Sequence, residues 1–206
     1  MKYWLLFLII FCISKSTAQN KDALYHIIEN TSSAKLEESI RILANFGTRH
    51  TLSDTLSETR GIGAARRWIK NEFESISKNC GNCLDVFYQK NYFTPKDGDR
   101  IVKPVWINNV LAIQKGKTHP NRFIIMSGDI DSRISDPTNY TDDSPGANDN
   151  ASGMAGTIEA ARVLSEYTFE NSILYVGLAG EEQGLFGGKG LACLLYTSPS
   201  PRDQAK

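Results

Sequence analysis

Five carboxylates stand out by where they fall in the chain: Asp129, Asp131, Asp149, Glu181 and Glu182. They lie in SGDIDSR, PGANDNASG and AGEEQGLFG, and the apolar runs FIIMSG and SILYVGLAG lead into the first and last of these. An apolar run that stops abruptly at glycine and acid reads as a strand entering a loop. Side chains at such strand ends converge on the carboxyl edge of an open α/β sheet, where ligands bind in that architecture. Several oxygen donors gathered there suit a divalent cation, and a carboxylate left unligated beside it suits general-base work.

Taken singly, each segment says less. Asp129 and Asp131, one residue apart in extended chain, project to the same side, so one can ligate while the other orients or tunes it. Asp149 sits where a loop turns into a helix, and the helix N–H groups favour negative charge, so an N-cap role competes there with a ligand role. Glu181 and Glu182 repel each other unless one binds a cation and the other takes a proton. A solvated loop accounts for their charge but not for their placement at a strand end.

The elements that must hold these residues follow from periodicity. Residues 21 to 44 are helical in spacing, broken near Asn30 to Ser33, with Thr31, Ser32 or Ser33 as cap and Glu37 and Glu38 in the first turn of the second piece. Ile62, Ala65, Ile69, Phe73 and Ile76 recur at three and four residues, marking an amphipathic helix over 58–78 whose solvated face is Arg66, Arg67, Lys70, Glu72 and Glu74. Strands are expected over 84–93 and 106–115 as a hairpin-like pair, then over 122–127 and 172–177, with a long loop over 129–148 and a helix over 150–167 between the last two. That order gives an α/β fold: a mixed β-sheet flanked by helices, antiparallel at its start and parallel after it.

Lys plus Arg equals Asp plus Glu, 23 of each, so no overall field recruits nucleic acid or an anionic membrane surface. The opening MKYWLLFLIIFCISKSTAQN has the layout of a cleaved secretory signal over residues 1–18, and its apolar run is too short to span a bilayer. The expectation is a secreted or periplasmic protein starting at Gln19, with residues 19–192 forming one domain. In that compartment Cys80 and Cys83, in C-G-N-C, read as a local disulfide. Residues 193–206 change character abruptly: CLLYTSPSPRD resembles the translation of a transposase adapter used in preparing sequencing libraries, and is expected to be foreign to the protein. His26, His50 and His119 read as structural or solvent-exposed.

Together, PGANDNASG and GEEQGLFG resemble the bridging-acid and catalytic motifs of the M28 family of zinc aminopeptidases and carboxypeptidases. The resemblance is specific over Phe123 to Gly188, with ANFGTRH and GIGAARRWI extending it more weakly. It implies a zinc-exopeptidase-like fold, a peptide substrate and two divalent ions, zinc by preference, about 3.5–4 Å apart and activating water. By the same resemblance Asp149 would bridge the ions, Glu182 would bind one, and Glu181 would be the general base; two further ligands of the family, an Asp and a His, fall beyond this sequence. One departure is evident. The family has His-x-Asp where this chain has Asp129-Ile130-Asp131, so a carboxylate at Asp129 replaces imidazole as ligand and tilts preference toward Mn²⁺ or Mg²⁺. Asp131 is expected beside Glu181 among the catalytic residues, although it lacks the imidazole N–H that it would accept. The implied activity is that of an aminopeptidase; a non-catalytic binding ectodomain on the same fold and a single-zinc glutaminyl cyclase are the alternatives.

Overall fold

The computed structural model describes residues 22–96 and 98–197; the expected signal at 1–18 and residues 198–206 of the expected foreign tail lie outside the described residues. The chain divides into two units, one ending at Ser32 and the other starting at Ser33. In the first, α1 spans residues 22–30. Thr31 Oγ1 donates back to the Ile27 carbonyl at 3.0 Å, so this hydroxyl closes α1 instead of capping the helix after it.

The second unit runs α2 (Ser33–Asn45), α3 (Gly61–Asn79), β1 (Leu84–Phe93), β2 (Val105–Gln114), β3 (His119–Asp129), a kinked turn (Ala147–Ala151), α4 (Ser152–Leu164), β4 (Asn171–Leu178) and α5 (Phe186–Thr197). The sheet order is β1-β2-β4-β3. β1 and β2 pair antiparallel, β2 and β4 antiparallel, and β3 and β4 parallel, which is the mixed sheet the pattern predicts.

Alternation along the central strands splits the core between the two faces. Ile173 and Tyr175 join Ile69, Phe73, Met154 and Ile158 from α3 and α4 on one face, while Leu174 and Val176 join Leu191 and Leu194 of α5 on the other. α5 continues without a break through Cys193, and Leu194 is buried, so no structural boundary marks the expected junction at 193.

Several boundaries differ from expectation. β3 begins at His119 and carries Asp129 as its last residue, and α4 starts at Ser152 and stops at Leu164. The first turn of α2 holds no acid, so Glu37 and Glu38 act one turn too late to meet the helix dipole. Arg66 and Arg67 are half-buried instead of solvated. Arg67 donates to the carbonyls of Thr55 and Ser57, tying α3 to the loop before it. Cys80 and Cys83 form the expected disulfide at the turn between α3 and β1.

Candidate functional site

Two close approaches bring the first acidic segments together. A Cβ on Gly128 would lie 2.4 Å from the backbone nitrogen of Met154, so only glycine lets the end of β3 rest on the start of α4. The Asn150 amide fills the resulting gap: Nδ2 donates to Asp129 Oδ2 at 3.0 Å, and Oδ1 accepts from the Gly153 N–H at 2.8 Å. Gly153 leaves room for it, since a Cβ there would meet Asn150 Oδ1 at 2.0 Å and displace the amide.

Asp149 itself is extended (φ −118°, ψ 98°) ahead of the helix, and the Asp149–Asn150 peptide is cis. The competition between cap and ligand thus resolves by residue. Asn150 serves the helix end, and the exposed Asp149 carboxylate is left with no capping role.

The turn carrying Glu181 and Glu182 is stapled at base and tip. At the base, buried Asn109 on β2 accepts from the Ala179 N–H at 2.9 Å and donates to the Gly187 carbonyl at 2.9 Å. At the tip, Asp131 accepts the Glu181 N–H at 3.2 Å and the Glu182 N–H at 3.0 Å. Asp131 is 1% exposed, so its place is beneath the site. The partner missing in sequence for want of an imidazole is supplied by backbone, and Asp131 positions the glutamates instead of meeting substrate.

Three arginines, none of them among the expected site residues, complete the arrangement. Arg49, fully buried, donates Nε to the Ile130 carbonyl at 2.7 Å, Nη1 to those of Leu43 (2.9 Å) and Pro145 (2.5 Å), and Nη2 to that of Gly146 (3.0 Å). One guanidinium therefore fixes the β3 end relative to the loop leading into Asp149. Arg133 Nε donates to Glu182 Oε2 at 2.6 Å, and Arg100 Nη1 to the Glu182 carbonyl at 2.9 Å. The signal for Arg133 was its position two residues after Asp131; Arg49 gave none beyond lying in ANFGTRH.

Electrostatics show that the acids share one space. Burial, with the charges of Asp149 and Glu182 adding to it, raises the Asp129 carboxyl above its ordinary range, although the Asn150 hydrogen bond opposes the shift. Glu181 is raised by burial and then by Asp129, Glu182 and Asp149, with Arg133 opposing. Asp131 is pushed up to about 7 by burial, against the two N–H groups it accepts. Mutual repulsion of this kind is what a bound cation relieves.

The donor set is all oxygen and fits a divalent cation in its chemistry. Its geometry does not close round one: among the described residues, no three His, Cys, Asp or Glu side chains converge on a common point, with Glu182 drawn to Arg133 and Asp129 to Asn150.

The histidines take no part in this donor set. His50 is buried, with Nδ1 accepting from the Leu52 N–H at 3.0 Å and Nε2 donating to the Pro137 carbonyl at 2.9 Å, and burial lowers its pKa. His26 and His119 are exposed.

Comparison with known proteins speaks to the family and the fold. Residues 109–205 match the model of Peptidase family M28. A probable zinc metalloprotease of Pyrenophora teres f. teres is 41% identical over 169 residues, covering 82% of this chain and 36% of that protein, so the chain spans little more than a third of the relative's length. Among solved structures, the LapA aminopeptidase of Legionella pneumophila superposes with a TM-score of 0.60 at 19% identity, covering 84% of this chain and 41% of its own. A glutaminyl cyclase of Macrostomum lignano gives 0.61 at 15% identity, covering 85% and 49%. At those identities the structural matches speak to the fold.

Proposed function

Since this chain belongs to peptidase family M28, we propose that the whole protein is an exported metal-dependent peptidase that removes residues from the N-terminus of peptides. The observation that carries this reading is the capture of both glutamate N–H groups by buried Asp131. It sets Glu181 and Glu182 side by side at the edge where Asp129 and Asp149 add their charge.

The roles divide by environment. Glu182, Asp129 and Asp149 supply the oxygens that would hold metal once drawn from Arg133 and Asn150 to a common point, and a bound metal would polarise the scissile carbonyl. Two ions are the proposed complement. Zinc is favoured by the relative's name, with Mn²⁺ or Mg²⁺ admitted by the carboxylate at Asp129.

Glu181 is the proton carrier. Its carboxyl sits above the ordinary carboxylate range because of burial and its acidic neighbours, which brings its basicity nearer to that required for removing a proton from attacking water. It then returns the proton to the leaving amine nitrogen. Asp131 touches no reacting atom; it fixes the backbone from which Glu181 projects.

The test uses the whole-length protein. Glu181→Gln should lower kcat on peptide substrates by about 10²–10⁴-fold while leaving the unfolding midpoint and metal content unchanged. A variant that keeps full activity removes Glu181 from the chemistry. A second reading, a glutaminyl cyclase, draws on the structural neighbours of that name. It expects one bound ion per chain in place of two, and turnover of N-terminal glutamine without peptide-bond cleavage.

A further inference from the structure

A cavity of about 580 Å³ lies apart from the five acids, none of which lines it. Its walls come from residues 48–60, from Lys103 and Val105 at the entry to β2, and from Tyr140 and Thr141 in the long loop after β3. Its volume falls in the range of small-ligand sites.

The 48–51 span serves both places. Thr48 and Thr51 line the cavity, while Arg49 and His50 between them bond to the carbonyls of Ile130, Gly146 and Pro137 beneath the acid loops. The His50 ring lies 6.1 Å from that of Tyr140, so one aromatic contact backs the cavity wall. A second link runs through the chain itself: Arg100 bonds the Glu182 carbonyl, and Lys103 lies three residues on.

Its lining chemistry is particular. Lys103 is exposed, its Nζ 4.3 Å from the centre of the Tyr140 ring, and it has no carboxylate partner among the described residues. The other cation on the wall, Arg60, is spent on Asp143 and on the Thr141 carbonyl. Asp54 directs Oδ1 to the N–H groups of Leu56 and Ser57. Thr51, 4% exposed, has a hydroxyl oxygen that is buried with no hydrogen-bond partner. An exposed ammonium with no carboxylate partner, held over an aromatic face on the cavity wall, suits an anionic oxygen group.

We propose that this cavity is a specificity subsite for a carboxylate on a peptide ligand, with Lys103 as its charged contact. The peptide character of the ligand rests on the function proposed above; the anion preference rests on the cavity alone. Lys103 selects; it is no part of the acid machinery.

Binding without chemistry is the direct test. Calorimetry on the whole chain would compare three N-acetylated tripeptides: Ala-Ala-Ala amide, Ala-Glu-Ala amide, and Ala-Ala-Ala with a free C-terminus. At least one carboxylate peptide should bind about tenfold more tightly than the neutral one, as a charge-assisted hydrogen bond provides. Which of the two does so tells a side-chain carboxylate from a terminal one. Lys103→Gln should erase the difference and Lys103→Arg should restore it; both substitutions fall at one exposed position, so folding is not at stake. Equal affinities for all three peptides, or a preference that survives Lys103→Gln, overturns the subsite. Absence of hydrolysis by the whole-length protein would sink the peptidase reading and leave this binding result standing.

Discussion

Asp131 shows how much a single buried side chain can decide. Its carboxylate holds two consecutive N–H groups from a turn fifty residues away, yet burial pushes its pKa up to about 7. The unfolded value is about 3.9. Between about pH 4 and 7 the folded metal-free chain therefore keeps a proton that the unfolded chain releases. Stability contributed by that protonation is fully present below pH 4 and is lost as the pH rises toward 7. Comparing urea unfolding of the parent chain and Asp131→Asn at pH 4.5 and 7 isolates this contribution: the stability advantage of the parent over the variant should shrink at the higher pH. An advantage that grows with pH would mean that Asp131 is ionised throughout. The five acids were legible as residue types at strand ends. Which of them would be buried was not, because the partners of Asp131 come from a distant turn, and neither was the exchange of roles by which Asn150 and not Asp149 serves the helix end.

Among elements, the helices and strands were readable because burial imposes periods of 3.6 and 2 on apolar residues, and Ile62, Ala65, Ile69, Phe73 and Ile76 of α3 are all buried as their spacing requires. The irregular pieces that aim the site were not readable. The clamp of Arg49 on the Ile130 and Pro145 carbonyls spans more than eighty residues of sequence, which local spacing does not encode. Arg49 is the sharpest case. Burial lowers its pKa to about 10, so it remains charged at neutral pH, with the Asp131 charge opposing that shift. Four carbonyls depend on its donors. Arg49→Met should cost about 3–5 kcal/mol, since removing a buried charged donor strands its acceptors. Arg49→Lys keeps the charge but loses the planar fork, and should recover less than half of that. Chemical unfolding of the two variants measures both; a loss under 1 kcal/mol for Arg49→Met would show that the carbonyls find water or other donors.

At the scale of the whole molecule the sheet is unevenly finished. β1 and β3 are its outer strands, and β3 is paired only with β4 among the described residues. A parallel strand is ordinarily covered on both faces, and its residues are apolar for that reason. Here Ile124 and Ile125 are 54% and 47% exposed, on opposite faces of the same strand. The unpaired N–H and C=O groups along its outer edge add a template for pairing with another chain. Charge gives little protection, since Lys and Arg balance Asp and Glu over the sequence. The 206-residue chain by itself should therefore associate through β3 as its concentration rises. Ile125→Lys should reduce that association by placing a solvated charge on the edge strand while leaving the buried faces of β2 and β4 untouched. Sedimentation velocity over a hundredfold range of concentration would read the effect. The same sedimentation profile for parent and variant would assign the association to another surface, while a monomeric parent at every concentration would mean that the edge is protected within the chain itself.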